Sequence, residues 1–391
     1  MRHGRVGERD RAIAWKWRLF SIGLIPLTFL VHVGASRIPV VISEAYSLRI
    51  YPVLATPLVF LSDQVSFSLA ELSYVVGGAV VVWALGITVI RLFRRSRTWR
   101  NALLRGALNV LTVIGLLYAL ITVVWALNYH RTGLARAAGL DPSAPTPEEL
   151  RGLCVSLIDE ANELRSSVEE NEDGLMVLPH GWRDALRRAE IGYRYAQLDH
   201  PWLPVRPIGR PKGIVFSRVM SATGFTGFYF PFSGEANVNI DEPDCTLPHT
   251  VSHEIAHQLG FAHEGEANFL GYIACRAHPD IDFRYSGTFA SLVSAMVALR
   301  ATDRETHDEL FGTMHEGVRR DWRAVREFWR THVITVARKP ARAVVDANLK
   351  LHSDPSGIAS YGQVVDLLIA ERRARLAEAE TDPDAGFRDT E

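Results

Sequence analysis

His253-Glu254-Ile255-Ala256-His257, preceded by Pro248 and followed by Gly260, decides how this chain is read. Histidines four residues apart stand one above the other on a helix face, so both imidazoles can reach one ion. Glu254 follows the first histidine and can hold a water on that ion, taking its proton as the nucleophile forms. The bare five-residue pattern also arises by chance in long chains, so its surroundings matter. They fit a helix that starts and stops around it, with Thr246 as N-cap, Pro248 in the first turn and Gly260 at the C-terminal stop. The reading is a catalytic metal centre with Zn2+ as the expected ion. The plainer alternative is an exposed helix with two incidental histidines.

The 391 residues carry a formal net charge of −1, an average over two unlike parts. Residues 1–130 hold long apolar runs and clustered arginines, and the remainder has ordinary globular composition. Three runs, at about 19–35, 72–90 and 107–127, approach the ~20 residues that cross a hydrocarbon core as a helix. The first also resembles a cleavable signal peptide, although its apolar run is somewhat long. Tyr51 to Leu61 is apolar but short and broken by Pro52 and Pro57, so it is expected to lie at the interface or re-enter partway. Basic residues precede the first span and fill the connection from Arg91 to Arg105, while few lie between Arg37 and Glu71. Lysine and arginine near span ends stay cytoplasmic, which places everything after about Asn128 outside the cytoplasm.

A linker over 131–147 leads to a domain over 148–376 and a tail over 377–391. Thr146-Pro147-Glu148-Glu149 reads as a capping box, opening a helix whose stripe runs through Leu150, Leu153, Cys154, Leu157, Ile158, Ala161 and Leu164. Ile214-Val215-Phe216, Gly227 to Phe232 and Ala236 to Ile240 read as strands, the last two joined by a turn at Ser233-Gly234. From Ala267 to about Val336 the pattern is helical, with another helix near Tyr361 to Leu376. The fold class is therefore mainly α with a small β-sheet, after three N-terminal transmembrane helices. Cys154, Cys245 and Cys275 lack the spacing of a thiolate zinc site. A Cys245–Cys275 disulfide is conceivable in an exported domain, and buried free thiols are the better expectation.

Two family resemblances bear on the third metal ligand. His263 completes HExxHxxGxxH, which matches the metzincin signature and would fold a histidine back on the ion. Glu266-Ala267-Asn268-Phe269-Leu270 is similar to the helix that supplies a carboxylate ligand in membrane-linked gluzincins, where the polar residue two places on steadies a ligand. The chain more widely resembles an uncharacterised bacterial family of membrane-anchored HExxH proteins, catalogued as a domain of unknown function. The resemblance rests on Tyr46-Ser47, Tyr51-Pro52, Leu127-Asn128-Tyr129, Gly227 to Asn237, His253 to Leu270 and Ser360-Tyr361-Gly362. It implies a zincin-like fold, no Met-turn and no fixed histidine at position 263. It thus favours Glu266 over His263 and Glu264. His249, one turn before His253, sits at the wrong height for the same ion.

The aromatic segment from Gly227 is suited either to pairing with an extended substrate, as edge strands of zinc peptidases do, or to packing the motif helix. Glu235 could bind a substrate amine or simply end a strand, and reads rather as structural or as supporting the site. Tyr361 is the best distant candidate for an oxyanion donor, with His352 and Asp354 just before it. These residues predict a membrane-anchored zinc metallopeptidase acting on a peptide or protein outside the cytoplasm, with Glu254 as general base. The alternative is a catalytically inactive zinc-binding sensor or envelope assembly protein. Intramembrane proteolysis is disfavoured because the motif lies in a polar region. Nucleic acid is excluded as a partner by the lack of a basic patch with interleaved aromatics.

Overall fold

The computed structural model describes the chain except residues 1, 94–98, 142, 205, 337, 341–342, 344–360 and 382–391. The side chains of residues 2–14, 91–93, 99–102, 361–362 and 379–381 also lie outside the described set. The membrane region comprises α1 (Arg2–Ala35), a short α2 (Pro39–Val41), a π-helical stretch (Ile42–Ile50), α3 (Tyr51–Ser62), α4 (Leu69–Phe93) and α5 (Trp99–Val124). Four segments are long and apolar enough to cross a membrane: Trp15–Ala35, Pro39–Ser62, Leu69–Ile90 and Leu103–Val124. Three match the expected spans. The fourth absorbs the short Tyr51–Leu61 run, because helix runs on from Pro39, π-helical over Ile42–Ile50 and α-helical from Tyr51, with Pro52 just after the change.

Hydrogen bonds fix how these helices meet the rest of the chain. His32, near the end of α1, lies 2.9 Å from Thr122 in the last turn of α5 and 2.7 Å from His130 just beyond it. Glu235 accepts the first amides of α4, Leu69 N–H at 3.1 Å and Ala70 N–H at 3.0 Å. A carboxylate there satisfies orphan donors and complements the positive helix end. So α1 and α5 finish, and α4 begins, against the same domain. The Pro39–Ser62 segment is tied to that domain along its length. The Ser43 hydroxyl accepts Thr132 N–H, the Tyr51 hydroxyl donates to the Gln258 carbonyl, and Lys212 donates to the carbonyls of Ser62 and Val65. Residues near both of its ends are bonded to later parts of the chain, so it lies along the domain.

The domain continues through α6 (Leu134–Ala137), α7 (Pro147–Arg165), α8 (Gly181–Asp199), β1 (Lys212–Gly213), α9 (Ser217–Thr223), β2 (Gly227–Phe230) and β3 (Glu235–Val238). It ends with α10 (Leu247–Gln258), α11 (Glu264–Ala277), α12 (Ile281–Thr302), α13 (Arg304–Thr313), α14 (Glu316–His332) and α15 (Tyr361–Thr381). The capping box forms, with the Thr146 hydroxyl accepting Glu149 N–H and the Glu149 carboxylate accepting Thr146 N–H. The expected stripe of α7 is buried throughout. The sheet has the order β1-β3-β2, with β3 parallel to β1 and antiparallel to β2.

Several expectations are corrected. The first strand falls at Lys212–Gly213, because the amides of Val215 and Phe216 bond the Glu71 carboxylate and cannot join a ladder. The second and third strands stop short, at Phe230 and Val238. The cysteines, by contrast, follow the better expectation: all three are free and buried. The helix near the C-terminus extends to Thr381, into the expected tail.

Candidate metal centre

The motif helix α10 is packed by α8, α11, α12, β2 and β3, and of its residues only His249 is partly accessible. The buried Tyr193 hydroxyl on α8 donates to the Ser252 carbonyl at 2.7 Å, one residue before the first motif histidine. Gly260 ends the helix at φ 83°, a left-handed turn that glycine adopts freely. The chain then reverses through His263 into α11, laying the first turn of α11 beside the motif. Thr246 stands before the helix as expected, but its hydroxyl donates to Glu242 at 3.0 Å and does not cap the helix amides.

His253, His257 and Glu264 come together, with one potential ligand atom from each within 4.8 Å of the others. The two rings lie 4.8 Å apart, edge to face. Each imidazole is fixed through Nδ1: His253 donates to Asn268 Oδ1 at 3.0 Å and His257 to the Phe261 carbonyl at 2.7 Å. A backbone carbonyl only accepts, so neutral His257 must carry its proton on Nδ1 and present a lone pair at Nε2. That lone pair faces Glu264 Oε1 at 3.7 Å, and His253 Nε2 faces Glu264 Oε2 at 3.3 Å. Burial pulls His257 down to about 4, so it is neutral near pH 7 despite the adjacent carboxylate. The Glu264 carboxylate, which raises His253 despite its burial, and the two Nε2 atoms thus converge on one point that a cation could occupy. Tetrahedral ligands at zinc bond lengths would lie roughly 3.3 Å apart, close to these separations. The donor set, two imidazoles and a carboxylate with oriented outer atoms, fits zinc.

Glu266, the carboxylate favoured from sequence, is placed elsewhere. It lies two residues beyond Glu264, about 200° around the helix, and therefore faces away. Its Oε1 accepts Leu134 N–H at 2.6 Å, and the Arg131 guanidinium sits nearby. His263 precedes α11 and bonds the Tyr129 carbonyl at 3.0 Å. His249 bonds the Asn268 carbonyl at 3.2 Å and does not join the cluster. Asn268, one turn after Glu264, is the residue that bonds His253. Tyr361 opens α15, but its side chain, like His352 and Asp354, lies outside the described residues. Glu235 is structural, as the cap of α4.

The Glu254 carboxyl is buried, and its Oε2 has no hydrogen-bond partner among the described residues. Burial pushes it up to about 8, Glu264 and Glu242 adding to the effect and His253 opposing it. Gly227 on β2 lies directly over it: a Cβ there would meet Cγ and Cδ of Glu254 at 2.7 Å. The motif lines a cleft of about 560 Å³, shared with Phe228 and Tyr229 of β2, Trp329 of α14, and Ile121 and Trp125 at the end of α5. A second buried acid, Glu242, also lines it; its Oε1 has no partner among the described residues, and burial raises it to about 8. Neither Gly227 nor Glu242 was singled out from sequence. Only the acidic run Asp241-Glu242-Pro243-Asp244 hinted at the latter.

Two imidazoles from one helix and a carboxylate from the next, set at the foot of long apolar helices, define a membrane-associated helical protein with a candidate transition-metal centre. The chain belongs to the family described as "Protein of unknown function (DUF3810)", whose model matches residues 46–369. That match takes in the Pro39–Ser62 segment from Tyr46, the metal cluster and part of α15. No curated protein and no solved structure matches the chain.

Proposed function

We propose that this protein is a membrane-anchored zinc metallopeptidase with a zincin-like, gluzincin-like site, acting on peptide bonds on the non-cytoplasmic side. The observation that carries the reading is the facing of the His257 Nε2 lone pair and the Glu264 carboxylate beside the partnerless Glu254. His253, His257 and Glu264 would hold zinc. Bound there, the ion supplies Lewis-acid polarisation of a carbonyl and acidifies water to near-neutral pKa. Glu254 takes a proton from the attacking water as its oxygen bonds the scissile carbon, then delivers that proton to the departing amine nitrogen. Burial, chiefly, raises Glu254 to about 8, and the positive charge of an ion held beside it would favour the carboxylate form that this step needs.

Strand β2 supports a peptide as the substrate. It is the edge strand of the sheet beside α10, and Gly227, Phe228 and Tyr229 line the cleft. An extended chain adding to that edge would pass across Glu254. Phe230 does not serve this purpose; it packs on Tyr74 and Phe232. The distribution of basic residues between the apolar runs supports outward placement of the domain.

The test uses the full chain in detergent or vesicles, with zinc content measured and cleavage of an unfolded protein followed. The parent should cleave, and Glu254→Gln should retain zinc while losing at least 10²-fold in rate. Zinc binding without cleavage by the parent would instead leave a metal-dependent sensor or assembly domain.

A further inference from the structure

We infer that the cleft opens onto the bilayer and that the substrate is a polypeptide anchored in that same bilayer, cut close to where it leaves the membrane. This rests on the peptidase reading for the cutting but not for the binding.

The metal cluster is one side chain away from the end of a span. Trp125 immediately follows the Leu103–Val124 span, and its ring meets that of His257 edge-on at 6.1 Å. Ile121, from the last turn of the same span, lines the cleft beside Trp125. Tryptophan at the end of a span marks the depth of the headgroups. The motif therefore sits at the membrane surface, not at the far end of a stalked domain.

The opposite wall of the cleft points the same way. Gly224 to Gly227 form part of that wall and directly follow α9. At the start of α9, Val215, Phe216 and Val219 are exposed by 79%, 53% and 59%. The amides of Val215 and Phe216 bond Glu71, in the first turn of span α4, which sets this apolar patch at the level where the span begins. Ile334, 57% exposed, adds an apolar side chain by the last turn of α9, its amide bonding the Ala222 carbonyl. Exposed apolar side chains at that height are matched by the acyl boundary of the bilayer. Embedding them would cover the cleft's rim on that side and leave membrane-proximal chain as the occupant best placed to enter.

The experiment places the full chain in vesicles of phosphatidylethanolamine and phosphatidylglycerol with zinc. The probes are single-span peptides bearing one photo-reactive phenylalanine in an unfolded sequence. It sits next to the span or after a flexible spacer of about ten or about thirty residues, the longest coiling over roughly 30 Å. All are in the same vesicles, so surface concentration is equal. With Glu254→Gln, cross-linking to the cleft should be at least tenfold greater for the proximal than for the distal probe, and the parent should cleave in the same order. Val215→Ser/Phe216→Ser/Val219→Ser, remote from the metal ligands, should shrink that gradient severalfold. Equal or stronger capture of the distal probe overturns the inference. A cross-linking gradient without cleavage retains it and removes the peptidase reading; cleavage without a gradient does the reverse.

Discussion

Gly227→Ala is the most direct probe of how Glu254 is held. The new Cβ would stand 2.7 Å from both Cγ and Cδ of Glu254, and closer still to Oε1. Ordinary carbon contacts lie at about 3.5–4.0 Å, so the carboxylate or the strand must yield by roughly 1 Å. The strand is pinned, since Gly227 pairs with Val238 and β3 is wholly buried. The acid is therefore the part that moves. A displacement of about 1 Å in a reacting group can cost 10²-fold, or about 2.7 kcal/mol in the barrier. The expected outcome is a kcat reduced by about two orders of magnitude with zinc stoichiometry unchanged, because no ligand touches Gly227. Shortening the acid should relieve the crowding, so Gly227→Ala/Glu254→Asp should be less impaired relative to Glu254→Asp than Gly227→Ala is relative to the parent. A stability cycle gives a readout independent of turnover. Overpacking costs about 1–3 kcal/mol, worth several degrees in melting temperature, and Glu254→Ala should abolish most of that loss. Unimpaired turnover in Gly227→Ala, or a melting loss that Glu254→Ala leaves intact, would refute the reasoning.

The remaining predictions concern the ligands and the second acid. Glu264→Ala should lose bound zinc on dialysis, whereas Glu266→Ala should keep it and lower the melting temperature by freeing Leu134 and the buried Arg131; metal analysis of the two separates them. Asn268→Ala should weaken zinc affinity by about 10–100-fold through loss of the His253 Nδ1 acceptor, read by competition with a chelator. Glu242 has its folded-state pKa raised from 4.5 to about 8, so the folded state holds more protons than the unfolded between those values. Stability should accordingly fall as pH rises through that window. Glu242→Gln should flatten the decline, so the variant gains on the parent in melting temperature between pH 5 and 9; parallel curves would exclude an ionisation cost at Glu242.

What could be read beforehand follows from the range of the interactions involved. The motif helix and α7 were legible because their signals are local: a cap, a proline, a glycine stop and an apolar stripe of one period. The three crossing helices were legible by length and composition. The continuous Pro39–Ser62 helix was obscured by two prolines and by its π-helical stretch just before Pro52. The third ligand was ambiguous for a geometric reason. Glu264 and Glu266 share one helical turn and face opposite ways, and only the docking of α11 on α10 says which faces the histidines. Val215-Phe216 has strand propensity, but its amides are claimed by Glu71, 144 residues before Val215.

The same long-range contacts bear on where the functional unit begins. Sequence places the domain boundary in a linker before residue 148, yet the C-terminal end of α10 is held from the membrane side. Tyr51 and Trp125 are buried in one cluster with Tyr129 and Ala262, the Tyr51 hydroxyl meets both the Gln258 carbonyl and the Tyr229 hydroxyl, and Trp125 contacts His257. Burying a large apolar side chain stabilises by about 1.5–3 kcal/mol, so this cluster is a substantial share of what orients the helix end. A chain starting at Asp141 would remove Tyr51, Trp125 and Tyr129 together, uncovering Tyr229 and Ala262 and leaving the His257 ring without its wall. Such a chain should bind zinc at least tenfold more weakly than the full protein, by chelator competition, and should melt lower. Equal affinity in the two would mean that the metal cluster is assembled by α10 and α11 alone, and that the membrane helices serve only to locate it.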